Sequence, residues 1–121
     1  MKVLLVEDDP LMIKMYRKKF EFEGFSVDVA ENGQKGLEML KIQKPNVILL
    51  DVMMPGMSGF DVLETIKKDE QLKNIPTFLL TNLTGTEEER KRAIDLGAVD
   101  YLVKSDLTPQ QLVEKVRGVA K

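Results

Sequence analysis

Val47-Ile48-Leu49-Leu50-Asp51-Val52-Met53-Met54-Pro55-Gly56-Met57-Ser58-Gly59 passes from an unbroken apolar run through a single acid into a segment rich in turn residues. Four consecutive apolar residues with no polar alternation mark a strand covered on both faces, as in a parallel sheet between layers of helix. Four more short runs have strand character: Lys2–Val6, Ser26–Ala30, Thr77–Leu80 and Ala98–Val103. Each is rich in leucine or β-branched residues and is too short for a typical helix.

The intervening segments carry helical spacing and helix punctuation. Asp9 and Pro10 supply an N-cap and a first-turn proline, and Gly24 a stop. A second helix runs from about Asn32 to Ile42, before Pro45, and a third follows Ser58-Gly59 with Phe60, Leu63 and Ile66 on one face. Thr86 with Glu89, and Thr108 with Pro109 and Gln111, read as capping boxes opening the last two helices, the first of them stopping at Gly97. The expected architecture is α/β, a doubly wound five-stranded parallel sheet of five βα units, forming one domain over residues 1–121.

Composition narrows the chemistry. The 121 residues are 43% hydrophobic and 31% charged, ordinary for a globular domain, and the net charge of −2 offers no electrostatic case for direct nucleic acid binding or an anionic membrane. Cysteine and histidine are both missing, so disulfides, thiolate metal sites and imidazole chemistry are excluded within the chain. The apolar opening Met1–Val6 is short and runs straight into Glu7, Asp8 and Asp9, unlike a signal peptide, so a cytoplasmic setting is expected.

Open α/β sheets bind ligands at the carboxyl ends of their strands. The residues just past the apolar runs should therefore converge: Glu7 and Asp8, Asp51, Thr81 with Asn82, and Lys104. Carboxylates gathered at one rim must protonate or share a cation. With only hard oxygen ligands on offer, the cation is Mg²⁺, Mn²⁺ or Ca²⁺, and a sparse cluster at an open rim suits Mg²⁺, with Mn²⁺ as its substitute. A metal and an ammonium beside a carboxylate suit phosphoryl transfer, with Asp51 as acceptor, Glu7 and Asp8 on the metal, and Lys104 and Thr81 on the phosphoryl oxygens.

These residues resemble the receiver domain of two-component response regulators, in the manner of chemotaxis regulators. The carriers are Val6-Glu7-Asp8-Asp9, the Asp51–Gly59 stretch with its Met54-Pro55, Thr81, and Tyr101-Leu102-Val103-Lys104. The resemblance implies a flavodoxin-like (βα)5 fold with strand order 2-1-3-4-5. It implies Asp51 as phosphoacceptor, Asp8 and Asp51 as direct Mg²⁺ ligands, Glu7 acting through water, and the backbone carbonyl of Met53 as a further ligand. The donor would be a histidine kinase or histidine phosphotransfer protein, and the readout a downstream protein target. Thr81 would move toward the phosphoryl group and Tyr101 turn inward, changing the face built by the fourth helix, fifth strand and fifth helix. The protein would be no enzyme beyond Mg²⁺-dependent self-phosphorylation and autodephosphorylation, and a monomer or a phosphorylation-dependent dimer.

Some positions depart from the family pattern. Ser105 replaces the usual proline after Lys104, so either a trans bond with a rearranged loop or a strained cis bond is expected. Met53 and Leu83, two residues after Asp51 and Thr81, are apolar and cannot orient a hydrolytic water, which implies slow autodephosphorylation. The first helix is apolar beyond its sheet-facing stripe of Met12, Tyr16 and Phe20, which leaves Leu11, Ile13, Met15 and Phe22 surplus and makes Leu11, Ile13 and Met15 an expected partner surface. Glu87–Arg92 reads as a solvated helix face with acids at the positive end of the dipole. Two other classes compete: a haloacid dehalogenase-type hydrolase, which would need an acid where Met53 stands, and a phosphorylation-independent pseudo-receiver interaction module, which would lack part of the acid, Thr and Lys set.

Overall fold

Strand β3 (Val47–Asp51) lies at the centre of the sheet with all five residues buried, as its uninterrupted apolar character requires. A computed structural model of the chain describes residues 1–82 and 86–120. In chain order the other elements are β1 (Lys2–Val6), α1 (Pro10–Phe22), β2 (Ser26–Ala30), α2 (Gly33–Ile42), α3 (Gly59–Lys68), β4 (Thr77–Thr81), α4 (Glu87–Asp95), β5 (Asp100–Val103), a 3₁₀ turn (Lys104–Asp106) and α5 (Pro109–Val119). The five strands pair in parallel in the order β2-β1-β3-β4-β5, as expected.

Alternate residues of each strand point to opposite faces, and two cores result. Leu4, Val6, Ile48, Leu50, Leu79 and Tyr101 pack with Leu40, Phe60, Leu63, Ile66 and Ala93 from α2, α3 and α4. Val3, Leu5, Val47, Leu49, Phe78, Leu80 and Leu102 pack with Tyr16, Phe20, Leu112, Val113 and Val116 from α1 and α5. Burying each large aliphatic side chain contributes about 1.5–3 kcal/mol before entropy is counted, so both layers are held on hydrophobic grounds.

The helix starts follow the sequence punctuation. Asp9 Oδ1 accepts from the Leu11 N–H at 3.0 Å, and Asn32 Oδ1 from the Lys35 N–H at 2.8 Å. Reciprocal capping boxes form at Ser58 with Asp61 and at Thr108 with Gln111. The box expected at Thr86 is only half made: Thr86 Oγ1 accepts from the Glu89 N–H at 3.1 Å, but the Glu89 carboxylate turns to other partners. The fifth strand is shorter than expected, starting at Asp100 instead of Ala98. Gly97, at φ +104°, ends α4 in a left-handed turn, and Ala98 N–H closes it on the Ala93 carbonyl at 3.0 Å. No cis peptide bond occurs among the described residues, so the Lys104–Ser105 bond is trans.

Gly59 fixes how closely α3 approaches the rim. Its N–H donates to the Val52 carbonyl at 2.9 Å. A Cβ at this position would run into the Asp51 carbonyl oxygen and stand 2.9 Å from Val52 Cα, both of them backbone atoms that cannot rotate away. Gly59→Ala is therefore expected to destabilise the domain by about 1–3 kcal/mol, measured as a lower urea midpoint at unchanged slope.

Candidate functional site

Because β1, β3, β4 and β5 are consecutive parallel neighbours, their carboxyl ends line one rim. β1 runs into Glu7 and Asp8, β3 ends on Asp51, β4 ends on Thr81, and Lys104 follows β5. The structure brings Glu7, Asp8 and Asp51 together: one carboxylate oxygen from each lies within 4.8 Å of the others. Glu7 and Asp51 are buried, at 1% and 3% exposure, while Asp8 opens to solvent.

Lys104 is buried as well, and its ammonium reaches both inner acids. It donates a very short hydrogen bond to Glu7 Oε1 and stands 3.2 Å from Asp51 Oδ1. Glu7 Oε2 accepts from the backbone N–H groups of Asp8 and Asp9 at 3.0 and 3.3 Å. Glu7 is thus well supplied with donors. Asp51 is not: its Oδ1 is buried and receives charge from Lys104 but no well-directed hydrogen bond. Leaving such an oxygen unsatisfied costs on the order of 1–3 kcal/mol or more.

Electrostatics follow from this imbalance. Burial pushes the Asp51 carboxyl up to about 6, against the pull of the Lys104 ammonium and with the help of the Glu7 charge. Tyr16, reaching toward the rim from α1, is pushed up to about 12 by burial and then by Glu7 and Asp51. Three carboxylates facing one ammonium fit a hard divalent cation. The unsatisfied Asp51 oxygen is where a further positive group is most needed.

Thr81 is buried at the end of β4, with its hydroxyl hydrogen-bonded to the Tyr101 phenol. Tyr101 already lies inside, at 1% exposure. Burial raises its pKa, as does its hydrogen bond to Glu89. Asn82 points outward, and the Met53 side chain, just past Asp51, is 59% exposed. Leu83 lies outside the described residues.

The expected α1 surface needs correction. Leu11 and Met15 are exposed, but Ile13 is half-buried, packing against the core beneath α1 while lining an open groove of about 410 Å³ with Asp8, Pro10, Lys14, Arg17 and Glu31. A helix turns about 100° per residue, which rotates Ile13 away from the outer face and brings Phe22, 82% exposed, into line with Leu11 and Met15. Sequence reasoning also missed Glu89. Its position in an acidic run signals a helix N-terminus and says nothing of a partner twelve residues on.

Residues 3–117 match the family model described as the response regulator receiver domain. The transcriptional regulatory protein CpxR of Escherichia coli (strain K12) is 36% identical over 120 residues, covering 99% of this chain and 49% of that protein. The chain spans about half the length of the curated relatives it matches. Among solved structures, the chemotaxis protein CheY4 of Vibrio cholerae aligns with a TM-score of 0.89 at 30% identity, covering 98% of this chain and 97% of that one. The Mn²⁺-bound form of response regulator Rcp1 aligns with a TM-score of 0.81 at 28% identity, covering 98% and 90%.

The raised Asp51 pKa makes stability depend on pH. The folded protein holds this proton more tightly than the unfolded chain, so the stability linked to it is complete below about pH 4 and is lost as pH rises through about 6. In metal-free buffer Asp51→Asn is expected to exceed the wild type in stability by about 3 kcal/mol at pH 8, with the gap closing toward pH 4. Urea unfolding across that range measures it.

Proposed function

The chain belongs to the response regulator receiver domain family of two-component signalling, and on that premise we propose that Asp51 accepts a phosphoryl group and thereby switches the surface that a partner reads. The observation that carries this reading is the buried, under-donated Asp51 carboxylate between Lys104 and two further acids.

The residues divide the work by position. Asp51 supplies the attacking carboxylate oxygen; an acyl phosphate bond forms as the phosphorus–nitrogen bond of a donor phosphohistidine breaks, and the imidazole leaves with the electron pair. Lys104, fixed by Glu7, holds its charge where the phosphoryl oxygens arrive. Asp8 and Asp51 would hold Mg²⁺ directly, with the Met53 carbonyl, while Glu7, already occupied by Lys104 and two backbone donors, would act through water. When bound, Mg²⁺ or Mn²⁺ neutralises acid and phosphoryl charge. The Thr81 hydroxyl would bond the phosphoryl group and carry the change to the face formed by α4, β5 and α5.

The donor we propose is a histidine kinase or phosphotransfer protein, docking on the exposed Leu11, Met15 and Phe22 of α1. The target is a downstream protein or a further domain. No helix among the described residues is long and apolar enough to cross a membrane, and a cytoplasmic setting completes the proposal. The full set of Glu7, Asp8, Asp51, Thr81 and Lys104 disfavours a phosphorylation-independent module.

Acetyl phosphate with Mg²⁺ is expected to add one phosphoryl mass to the wild type, and none to Asp51→Asn or in EDTA. Labelling that survives Asp51→Asn would sink the proposal. Met15→Asp is expected to retain labelling by acetyl phosphate while slowing transfer from a phosphorylated kinase severalfold. The acyl phosphate itself is expected to be long-lived, because the apolar Met53 and Leu83 offer a hydrolytic water no partner. Replacing both with polar residues should shorten its lifetime severalfold in a phosphate-release assay, and an unchanged lifetime would remove that explanation.

A further inference from the structure

Tyr101 is held by more than the switch threonine. Its ring stacks on Phe60 of α3, with centroids 6.1 Å apart and planes 25° apart. The Arg92 guanidinium lies 4.3 Å from the Phe60 centroid, so cation, Phe60 ring and Tyr101 ring form one packed group. The Tyr101 hydroxyl donates to Glu89 Oε2 at 2.9 Å. Glu89 is itself pinned: its Oε1 accepts from the Thr86 hydroxyl at 3.3 Å, and its N–H donates to Thr86 Oγ1 at 3.1 Å. Glu89 and Arg92 stand three residues apart on α4 and share a face. One holds the tip of the tyrosine and the other backs the ring it leans on.

This sets Glu89 apart from its neighbours. Glu87 and Glu88 are exposed, whereas Glu89 is half-buried and spends its carboxylate on a buried phenol. A hydrogen bond from a neutral hydroxyl to a carboxylate is stronger than one between neutral groups. The phenol therefore has two partners, Glu89 and Thr81. If Thr81 is drawn to a phosphoryl group on Asp51, the bond to Glu89 remains.

We propose that Glu89 is a positioning residue that keeps Tyr101 inside the domain before phosphorylation, so that the ring is set in advance and the phosphoryl group need not move it. The inference rests on the reading of Asp51 and Thr81 given above. It assigns the message to the relocation of Thr81, in place of a rotation of the tyrosine. It also means that the tyrosine's part of the phosphoryl-binding arrangement is set beforehand, which raises apparent affinity for the phosphoryl group.

The test uses the full chain labelled with meta-fluorotyrosine, with Tyr101→Phe distinguishing Tyr101 from Tyr16, the other tyrosine. Fluorine NMR with a soluble paramagnetic quencher reads ring protection, with and without Mg²⁺ and beryllofluoride. In the wild type Tyr101 should be protected in both states. Glu89→Ala should expose it without the mimic, restore protection with it, and weaken apparent beryllofluoride affinity about tenfold. Glu89→Gln, whose amide oxygen still accepts, should behave as wild type. So should Glu88→Ala, which removes a first-turn acid without touching the phenol. The proposal is overturned if Glu89→Ala leaves Tyr101 protected, or if Glu88→Ala exposes it equally. A wild type that binds no beryllofluoride would refute the phosphoacceptor reading instead, and the mimic-free comparison would still decide the role of Glu89.

Discussion

One ammonium shared between two buried carboxylates is the constraint around which the rim is built. Lys104 arrives from the last strand and meets Glu7 from the first and Asp51 from the third. Charges of this kind are expensive to remove from water, and an ion pair repays that cost only when every remaining oxygen finds a donor. Glu7 meets the condition through two backbone N–H groups, and Asp51 does not. The site is therefore less stable than an apolar rim would be, and its unmet demand for positive charge suits a divalent cation.

The sheet makes this arrangement possible. Parallel strands all end on the same side, so residues far apart in sequence become neighbours without any long loop. The bond between Lys104 and Glu7 joins residues 97 positions apart. Gly59 adds the remaining precision, since only a residue without a side chain lets α3 begin against the Asp51 carbonyl.

Much of this was legible in the sequence because the signals were local. Asp9 and Thr108 each bond to backbone a few residues away, so spacing alone suffices to read them, and the same local rule covers the caps at Asn32 and Ser58 that the structure adds. The convergence of Glu7, Asp8 and Asp51 was legible for another reason: β-α alternation dictates where strand ends go. What escaped was whatever depends on side-chain direction. Glu89 fits a capping box by spacing, but Tyr101 offers its carboxylate a better donor than the Thr86 backbone. Ile13 counts as surplus apolar residue by composition, yet rotation about the α1 axis turns it partly into the core. Ala98 and Val99 have strand-like side chains, but closing α4 and joining Thr77 consume their N–H groups first. Tyr101 was expected to need a signal to turn inward, and aromatic stacking and Glu89 already hold it there.

The alternation of side chains along each strand has a consequence for how such a molecule diversifies. Neighbouring residues of β1, β3 and β4 serve opposite layers, so the α1–α5 flank and the α2–α4 flank share a backbone but few side chains. A buried substitution in one layer can therefore be absorbed by its own helices while the packing of the other layer is left alone. The acids, the lysine and the threonine lie along the edge where the two layers meet, so a change there has neither layer's packing to absorb it.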